Sequence, residues 1–288
     1  MTLDGVGSAL APAGPPADWW AAVQQPARKP RWPLWLGADR VGSIEPEVWA
    51  ACARHHHRAS AAQPWSVQQV QRGGQTGLVL GPDGTASFDQ LARTLRDVGC
   101  CGPWRDEALP VRDGCGAVRA QVERGAARVL GVTTQAVHLV GRRADGAVWV
   151  QQRAWTKAND PGLWDTLMGG TVAAGESVAD TLCRETWEEA GLVLSDLGDL
   201  THGGQFLATR PVPDGGGSGQ LVEDTHWYTA QVPDHLLPRN QDGEVDHFEA
   251  WTPQAVARAC AQGRFTPEAR WVLFQCFAPA FAQELGWA

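Results

Sequence analysis

Hydrophobic and polar residues change their spacing along this chain, and each spacing predicts a different element. In the segment 87–98 the apolar residues recur every three or four positions, which is typical of a helix that buries one face, and Gly99 predicts its end. From 135 to 153 two short apolar runs flank Asp145 and Gly146, a pair that favours a β-hairpin turn. The chain is therefore predicted to mix helices and strands.

The first part of the chain, residues 18–132, shows both spacings and is predicted to be a smaller α+β domain. We expect a strand, a turn at Gly42 and a helix that begins near Pro46. We also expect a second hairpin whose turn, Pro-Asp-Gly, spans 82–84. Residues 1–17 are rich in Ala, Gly and Pro and predict a flexible tail.

The second part, residues 133–288, predicts an α/β domain with a mixed sheet flanked by helices. After the first hairpin come a loop and the segment from Ser177 to Ala190, which lacks Gly and Pro and predicts a helix. Three strand-like segments follow, GGQFLA, THWYTAQV and EVDHFEAWT, with a Gly-rich loop at 215–219. Two further helices, TPQAVARACAQ and TPEARWVLFQCFAPAFAQEL, each open with Thr-Pro.

The most informative motif is GGTVAAGESVADTLCRETWEEAGL, at 169–192. It resembles the Nudix box, Gly-x5-Glu-x7-Arg-Glu-U-x-Glu-Glu-x-Gly-U, in which U is a bulky apolar residue. All seven fixed positions are filled, by Gly170, Glu176, Arg184, Glu185, Glu188, Glu189 and Gly191. Leu192 fills the last U, whereas Thr186 departs from the first. At roughly 7% usage per residue, a chance match in such a chain is on the order of 10⁻⁶.

The carboxylates of this motif suit a hard metal ion. On the predicted helix Glu185, Glu188 and Glu189 stand at i, i+3 and i+4 and share one face, where they repel one another unless a cation binds. Mg²⁺ prefers oxygen ligands and activates water, with Mn²⁺ as the alternative. Glu176 is the fourth expected metal ligand. The resemblance implies a Nudix α/β/α sandwich and a Mg²⁺-dependent hydrolase of an organic diphosphate.

The same resemblance suggests the remaining catalytic residues. It implies that Arg184 orients the neighbouring carboxylates, and that Glu185 and Glu188 belong to the catalytic group. Nudix enzymes often bring one more Glu from outside the box, and both Glu223 and Glu244 are candidates for it. The general base is accordingly Glu244, Glu223 or Glu185 itself, because a base needs only reach and a suitable pKa.

Several residues near the motif are candidates for substrate binding. Arg153 and Lys157 precede the box and suit phosphate oxygens, although either is equally compatible with an ordinary surface cation. Trp155 and Trp164 suit stacking on a planar ring, or else anchoring a core or loop. Gly169 and Gly170 predict a tight loop where the backbone approaches a ligand.

The similarity extends beyond the box to one branch of the family. The matching motifs are DRVGSIEP, WRDEALPV, ERGAARVLGVTTQAVHLVGR, RAWTKANDPGLWD, DGEVDHFEAWT and FTPEAR. They resemble the Nudix region that precedes thiamine pyrophosphokinase in some fungal proteins, together with its N-terminal domain of uncharacterised type. That branch implies hydrolysis of thiamine diphosphate, or of its oxidised analogues, to the monophosphate and phosphate.

Three alternatives to this hydrolase stay open. One is a nucleoside-diphosphate-X hydrolase, and another is a Nudix ligand sensor, a class that commonly loses box carboxylates. The third is isopentenyl-diphosphate isomerase, which RAWTKANDPGLWD resembles. That isomerase uses a catalytic Cys where this chain has 166–169, Thr-Leu-Met-Gly, which argues against it.

Composition narrows the location and the partners. The net charge of −8 argues against general nucleic-acid binding, and no apolar run reaches the 18 residues of a membrane span. No signal peptide is evident, and the seven Cys form no CxxC pair, so reduced thiols in the cytoplasm are expected. The N-terminal half could shape the pocket, mediate a homodimer or cap the sheet; the sequence leaves these three roles open.

Overall fold

The computed structural model describes residues 17–59 and 65–286, so the predicted tail lies outside the described residues except for Ala17, where the first helix begins. Its elements up to residue 127 are α1 (Ala17–Val23), β1 (Trp32–Leu36), β2 (Asp39–Ile44), α2 (Pro46–Ala59), β3 (Val67–Arg72), β4 (Gln75–Leu80), α3 (Gly84–Asp97), β5 (Ala108–Arg112), β6 (Val118–Glu123) and α4 (Arg124–Ala127).

From β1 onward these elements form an α+β unit around its own core. Four strands make a sheet in the order β2-β1-β4-β3, in which β1 and β4 are parallel, while β5 and β6 form a separate antiparallel pair. Helix α3 buries Phe88, Leu91 and Leu95 completely, as its apolar spacing predicts. The core that they join also contains Leu34 and Leu78 from the central strands.

Two turn predictions in this unit are wrong. Gly42 lies inside β2, and the chain turns at Gly37, which has a φ of +63°. Gly42 is needed for space, because a Cβ there would lie 2.5 Å from the carbonyl oxygen of Leu130. The Pro-Asp-Gly segment forms no hairpin: Asp83 caps α3, accepting a hydrogen bond from the backbone N–H of Ala86 at 3.0 Å.

The remaining elements belong to a larger, mixed sheet with helices on both faces. They are β7 (Thr133–Arg142), β8 (Val148–Arg153), β9 (Trp164–Asp165), β10 (Met168–Thr171), α5 (Val178–Ala190), β11 (Gly198–Val212), α6 (Asp214–Gly217), β12 (Gly219–Gln231), β13 (Val245–Trp251), α7 (Pro253–Ala261) and α8 (Pro267–Leu285).

The strand order is β11-β12-β7-β8-β13, with β10 paired to β7 and β9 to β8. Strands β12 and β7 are parallel, and the other pairs are antiparallel. On one face Leu182 and Ala190 of α5 pack with Val137 and Leu139 of β7. The predicted α/β class and α/β/α layering are therefore confirmed, as are the hairpin at Gly146 and the two Thr-Pro helix starts.

The two units touch along a polar seam. Arg31 is partly buried and donates to the backbone carbonyls of Ser43 and Val129, at 2.7 and 2.5 Å, and to that of Ser218 at 2.7 Å. The backbone N–H of Ala174, in the loop before α5, donates to the carbonyl of Ala108 on β5 at 2.9 Å. Strand β5 therefore lies directly beside the loop of the Nudix-like motif.

Helix α1 lies with the larger unit. The indole of Trp19 is 3% exposed and meets the ring of Phe281 edge-on, with centroids 5.8 Å apart.

Within the described residues, no helix combines the length and the hydropathy that crossing a bilayer requires.

Candidate active site

Helix α5, which carries the motif, has a defined signal at each end. Ser177 is its N-cap, and Ser177 and Asp180 exchange hydrogen bonds between side chain and backbone, at 2.9 and 3.1 Å. Gly191 closes the helix with a φ of +62°. Thr186, the mild departure from the motif, is completely buried and donates to the carbonyl of Leu182 at 2.6 Å, so its hydroxyl is satisfied.

Arg184 lies among three of the predicted metal ligands. Its Nε donates to Oε1 of Glu176 at 2.7 Å, and its Nη2 donates to Oε2 of the same carboxylate at 2.8 Å. Its Nη1 donates to Oε1 of Glu185 and to Oε2 of Glu188, both at 2.8 Å. One guanidinium thus holds the three acids in one cluster.

Two carboxylates of this cluster are shifted in opposite directions. The hydrogen bonds from Arg184 lower the pKa of Glu176 to about 2. Burial and the nearby carboxylate of Glu189 raise the pKa of Glu185 to about 8, against the ordinary 4.5, although Arg184 partly opposes the shift. Glu185 therefore lacks enough positive charge around it to ionise at its usual pH.

Glu189 lies deeper, with 1% of its surface exposed. Its Oε2 accepts hydrogen bonds from Nε2 of Gln151 at 2.8 Å and from the backbone N–H of Gly169 at 2.9 Å. Burial raises its pKa, while Lys157, whose Nζ lies 3.9 Å from Oε1, acts in the opposite direction. In both buried acids of the motif, Glu185 and Glu189, burial raises the pKa by more than the neighbouring cations lower it.

Lys157 connects this cluster to Glu244, the predicted residue from outside the motif. The ammonium of Lys157 donates to Oε2 of Glu244. Burial alone would raise the pKa of Glu244, but Lys157 and Arg124 outweigh it and lower the pKa below the ordinary value. Glu244 is therefore ionised at neutral pH.

A cavity of about 490 Å³, the box cavity, opens beside α5. Among the predicted site residues, its lining includes Arg153, Lys157, Gly169, Gly170, Arg184, Glu185, Glu188, Glu223 and Glu244. Glu176 and Glu189 are absent from that lining, although both bond to residues at or beside it. Most of the wall consists of charged side chains, with Ala136, Ala173 and Leu221 as its apolar members.

The two predicted stacking residues do not line this cavity. Trp164 is 4% exposed and packs against Trp251, with ring centroids 4.4 Å apart. Trp155 is 68% exposed, and its ring lies so close to Gly162 that a Cβ there would be 2.5 Å away. The structure therefore places them as a core residue and a loop anchor.

Gly169 and Gly170 lie in strand β10 rather than in the expected tight loop. Neither has a positive φ. The register pairs Gly169 with His138 and Gly170 with Val137 on β7. A Cβ at Gly169 would come within 3.1 Å of the His138 ring, so small size rather than backbone freedom explains these glycines.

Several residues of the cavity were not anticipated from the sequence. His138 is 7% exposed, and its Nδ1 is 3.0 Å from Oγ1 of Thr166. Because that hydroxyl donates to the carbonyl of Met168, the histidine nitrogen is the donor in this pair. His138 carried a usable signal, since it is a polar residue inside an apolar stretch of β7. Gln151, which bonds to Glu189 without lining the cavity, follows three apolar residues of β8.

Arg124 and Glu107 carried no such signal. They come from the N-terminal unit and form an ion pair, with Nη1 of Arg124 2.7 Å from Oε2 of Glu107. Both line the box cavity and also a second cavity of about 330 Å³, the side cavity, between the two units. Only long-range folding brings them to the motif.

A metal ion would have to rearrange this cluster. Within residues 17–59 and 65–286, no three His, Cys, Asp or Glu side chains form a ready-made ligand group, and Arg184 lies between the carboxylates instead. The donor chemistry nevertheless suits a hard cation, because the acids are oxygen ligands and burial leaves Glu185 and Glu189 short of positive charge.

Comparison with known proteins gives a family match for the larger unit. Residues 132–273 match the model described as NUDIX domain. Nudix hydrolase 20 of Arabidopsis thaliana, named as chloroplastic, is 28% identical over 178 residues, which cover 58% of this chain and 45% of that protein. Nudix hydrolase 24 of the same plant, also named as chloroplastic, is 28% identical over 193 residues, which cover 63% of this chain and 50% of that protein.

Two further matches come from bacteria. An uncharacterised Nudix hydrolase of Streptomyces coelicolor is 38% identical over 86 residues, covering 30% of this chain and 48% of that protein. The crystal structure of DR0079 from Deinococcus radiodurans is 21% identical, with a TM-score of 0.49, and the match covers 59% of this chain and 99% of that chain. The chain thus spans about half the length of the curated relatives it matches.

Proposed function

We propose, from the match of residues 132–273 to the NUDIX domain model, that the chain hydrolyses the diphosphate bond of a small organic substrate with a divalent cation. The observation that carries the proposal is the complete carboxylate set of the motif, three on α5 and Glu176 in the loop before it. Glu176, Glu185 and Glu188 are gathered by Arg184, and Glu189 lies beneath them. Water would add to one phosphorus as the bridging P–O bond breaks.

Glu185, Glu188, Glu189 and Glu176 are the residues that we propose to hold Mg²⁺, with Mn²⁺ as the alternative. When bound, the cation would neutralise phosphate oxygens and lower the pKa of a water. The chain itself would supply the ligands and their placement. Arg184 keeps the carboxylates together, and the N–H of Gly169 and the amide of Gln151 fix one oxygen of Glu189.

Glu244 is the general base that we propose, with Glu185 and Glu223 as the alternatives. Glu244 lines the box cavity and is ionised at neutral pH, so it can take a proton from water. Lys157 holds it in place. If Glu244 is the base, Glu244→Gln should lower kcat strongly while leaving Mg²⁺ binding, measured by calorimetry, nearly unchanged; loss of Mg²⁺ binding would assign it to the metal site instead.

The substrate that we propose is thiamine diphosphate or an oxidised analogue of it, cleaved to the monophosphate and phosphate. This rests on the resemblance of the flanking motifs to the branch described above. The charged wall of the box cavity supports a small polar substrate, and Arg153 and Lys157 stand in that wall where phosphate oxygens would lie. Neither Trp155 nor Trp164 lines the box cavity, so stacking of the substrate on these indoles is not expected.

A substrate panel tests both levels of this proposal. Phosphate release is measured with Mg²⁺ from thiamine diphosphate, oxythiamine diphosphate, nucleoside diphosphates and nucleotide sugars. Turnover of nucleotide sugars without turnover of the thiamine compounds would favour the nucleoside-diphosphate-X hydrolase. Ligand binding without turnover of any compound would favour the sensor.

Glu189→Gln is the variant that tests the hydrolase class. It keeps the shape of the side chain but removes a charge from the metal site. We therefore expect kcat to fall about 10³-fold, which corresponds to a loss of about 4 kcal/mol of transition-state stabilisation. The matched control is Glu47→Gln, an acid-to-amide change at a side chain that is 80% exposed in the N-terminal unit. Full activity of Glu189→Gln would reject the proposed metal site.

Location and assembly remain proposals. All seven Cys are free, which fits a reducing compartment such as the cytoplasm, whereas the two plant relatives are named as chloroplastic. We keep a homodimer as a proposal, tested by light scattering after size-exclusion chromatography. A small-molecule substrate, with neither nucleic acid nor membrane as a partner, completes the proposal.

A further inference from the structure

The box cavity and the side cavity are each lined by two parts of the chain, the N-terminal unit and the larger unit. Pro103, Arg105, Glu107, Leu109, Arg124 and Arg128, all from before the Nudix domain, line the side cavity. Glu107, Arg124 and Arg128 also line the box cavity, together with Glu185 and Glu188. The N-terminal unit therefore supplies one wall of the space in front of the carboxylates.

This wall is held in place by backbone hydrogen bonds. The N–H of Arg124 donates to the carbonyl of Glu107 at 2.8 Å, and that of Ala174, beside the motif, donates to Ala108 at 2.9 Å. On the other side, the N–H of Gln220 on β12 donates to the carbonyl of Arg128 at 2.8 Å. The backbone of this segment is thus tied to the loop before α5 and to strand β12.

Arg124 is one of two arginines of this wall that line the box cavity; the other, Arg128, lies 3.5 Å from the carboxylate of Asp214. Besides its partner Glu107, the carboxylates of Glu244 and Glu185 contribute to raising the pKa of Arg124, although burial opposes them. Arg124, Glu185 and Glu244 line the same cavity, so the guanidinium shares that space with two carboxylates of the proposed site. The side chain of Arg124 is 38% exposed, so it is open to a ligand in the cavity.

We propose that Arg124 binds a phosphoryl group of the diphosphate substrate, which makes it a specificity residue supplied from outside the Nudix domain. A planar guanidinium offers two parallel N–H donors to phosphate oxygens, and the ion pair with Glu107 orients it. Phosphate competes with Glu107 for the same donors. This inference rests on the proposed diphosphate substrate but not on its hydrolysis.

The test measures binding rather than turnover, with methylenediphosphonate, a diphosphate analogue that water does not cleave. Isothermal titration in Mg²⁺ compares the full-length chain with Arg124→Gln and Arg124→Lys. We expect the Kd to rise about ten-fold or more in Arg124→Gln, since a charge-assisted bidentate contact is lost, and less in Arg124→Lys, which keeps the charge. Circular dichroism and thermal melting confirm that each variant is folded.

Two further variants separate binding from structure. Glu107→Gln should tighten binding, because it removes the competitor for the guanidinium. Arg119→Gln, which removes an arginine paired with Asp39 and Asp113 in the same unit, should leave the Kd unchanged. An unchanged Kd in Arg124→Gln, equal weakening by Glu107→Gln or Arg119→Gln, or failure of the unaltered chain to bind the analogue would each overturn the inference.

The result also distinguishes this inference from the proposed activity. A chain that binds the analogue through Arg124 but releases no phosphate from any diphosphate would retain the inference and lose the hydrolase. A chain with full Mg²⁺-dependent turnover whose analogue binding ignores Arg124 would retain the hydrolase and lose the inference.

Discussion

Gly170 and Glu185 approach so closely that a Cβ on the glycine would lie 2.1 Å from the carboxyl carbon of the glutamate. Strand β10 therefore runs directly against the acidic face of α5. The φ of Gly170 is not positive, so another residue could adopt its backbone conformation. The glycine is required because the carboxylate fills the place of its side chain.

Gly170→Ala should consequently impair activity more than folding. The added methyl must displace the carboxylate of Glu185, which is attached to a flexible side chain and can move away, so we expect at least a ten-fold loss of kcat/KM, or about 1.4 kcal/mol. Gly114→Ala is the matched control, because no atom lies within 4 Å of a Cβ at Gly114. Equal kcat/KM values for the two variants would contradict the explanation.

The raised pKa of Glu185 predicts a pH dependence of stability for the metal-free protein. Because the folded pKa is about 8 and the ordinary value is 4.5, the folded protein holds this proton more tightly than the unfolded chain. The stabilisation is complete below pH 4.5 and is lost as the pH rises through 8. Glu185→Gln should remove this part of the dependence, measured as the melting temperature in EDTA from pH 5 to 8.5.

Mg²⁺ should reverse this trend in the unaltered protein, since a cation favours the ionised carboxylate and stabilises the folded state by its binding. The Mg²⁺-induced rise in melting temperature should therefore grow with pH. Identical pH profiles for Glu185→Gln and the unaltered chain in EDTA would show that Glu185 titrates normally.

Removal of Arg184 should destabilise the metal-free protein. Arg184→Ala leaves Glu176, Glu185 and Glu188 without their common donor. Glu185 is buried, but Arg184, Glu176 and Glu188 are partly exposed, so we expect a loss of only about 1–2 kcal/mol in the free energy of unfolding. Urea denaturation measures it. Mg²⁺ should recover part of this stability; if it recovered none, Arg184 and the cation would not act on the same carboxylates.

Arg31 provides a prediction about the seam between the two units. Arg31→Ala leaves three backbone carbonyls without their donor, and we expect a loss of about 3 kcal/mol in the free energy of unfolding. Arg72→Ala is the control, because exposed Arg72 donates to a single carbonyl, that of Gly37. A similar small effect of both changes would mean that the hydrogen bonds of Arg31, of which the one to Ser218 joins the two units, contribute little to stability.

The sequence predicts a structural feature well when residues close to it in the chain determine it, and poorly when distant residues do. Helix α5 could be predicted to within one residue because Ser177 and Gly191 carry its caps and the acids have fixed spacing. The sequence predicts a turn at Gly42 and a tight loop at Gly170, but both glycines lie in strands, where a distant chain segment leaves no room for a side chain. The same limit applies to Arg124, whose neighbours Glu185 and Glu244 are distant in sequence.

Strand β5 lies beside the motif loop, and the segment 103–128 that contains it supplies part of the wall of the box cavity. The carboxylates of the motif come from a different stretch, 169–191. A substitution in the first stretch therefore reshapes the space for the substrate without altering the helix that carries the acids. A library of variants confined to 103–128 should therefore change ligand preference while the carboxylates of the motif stay unaltered.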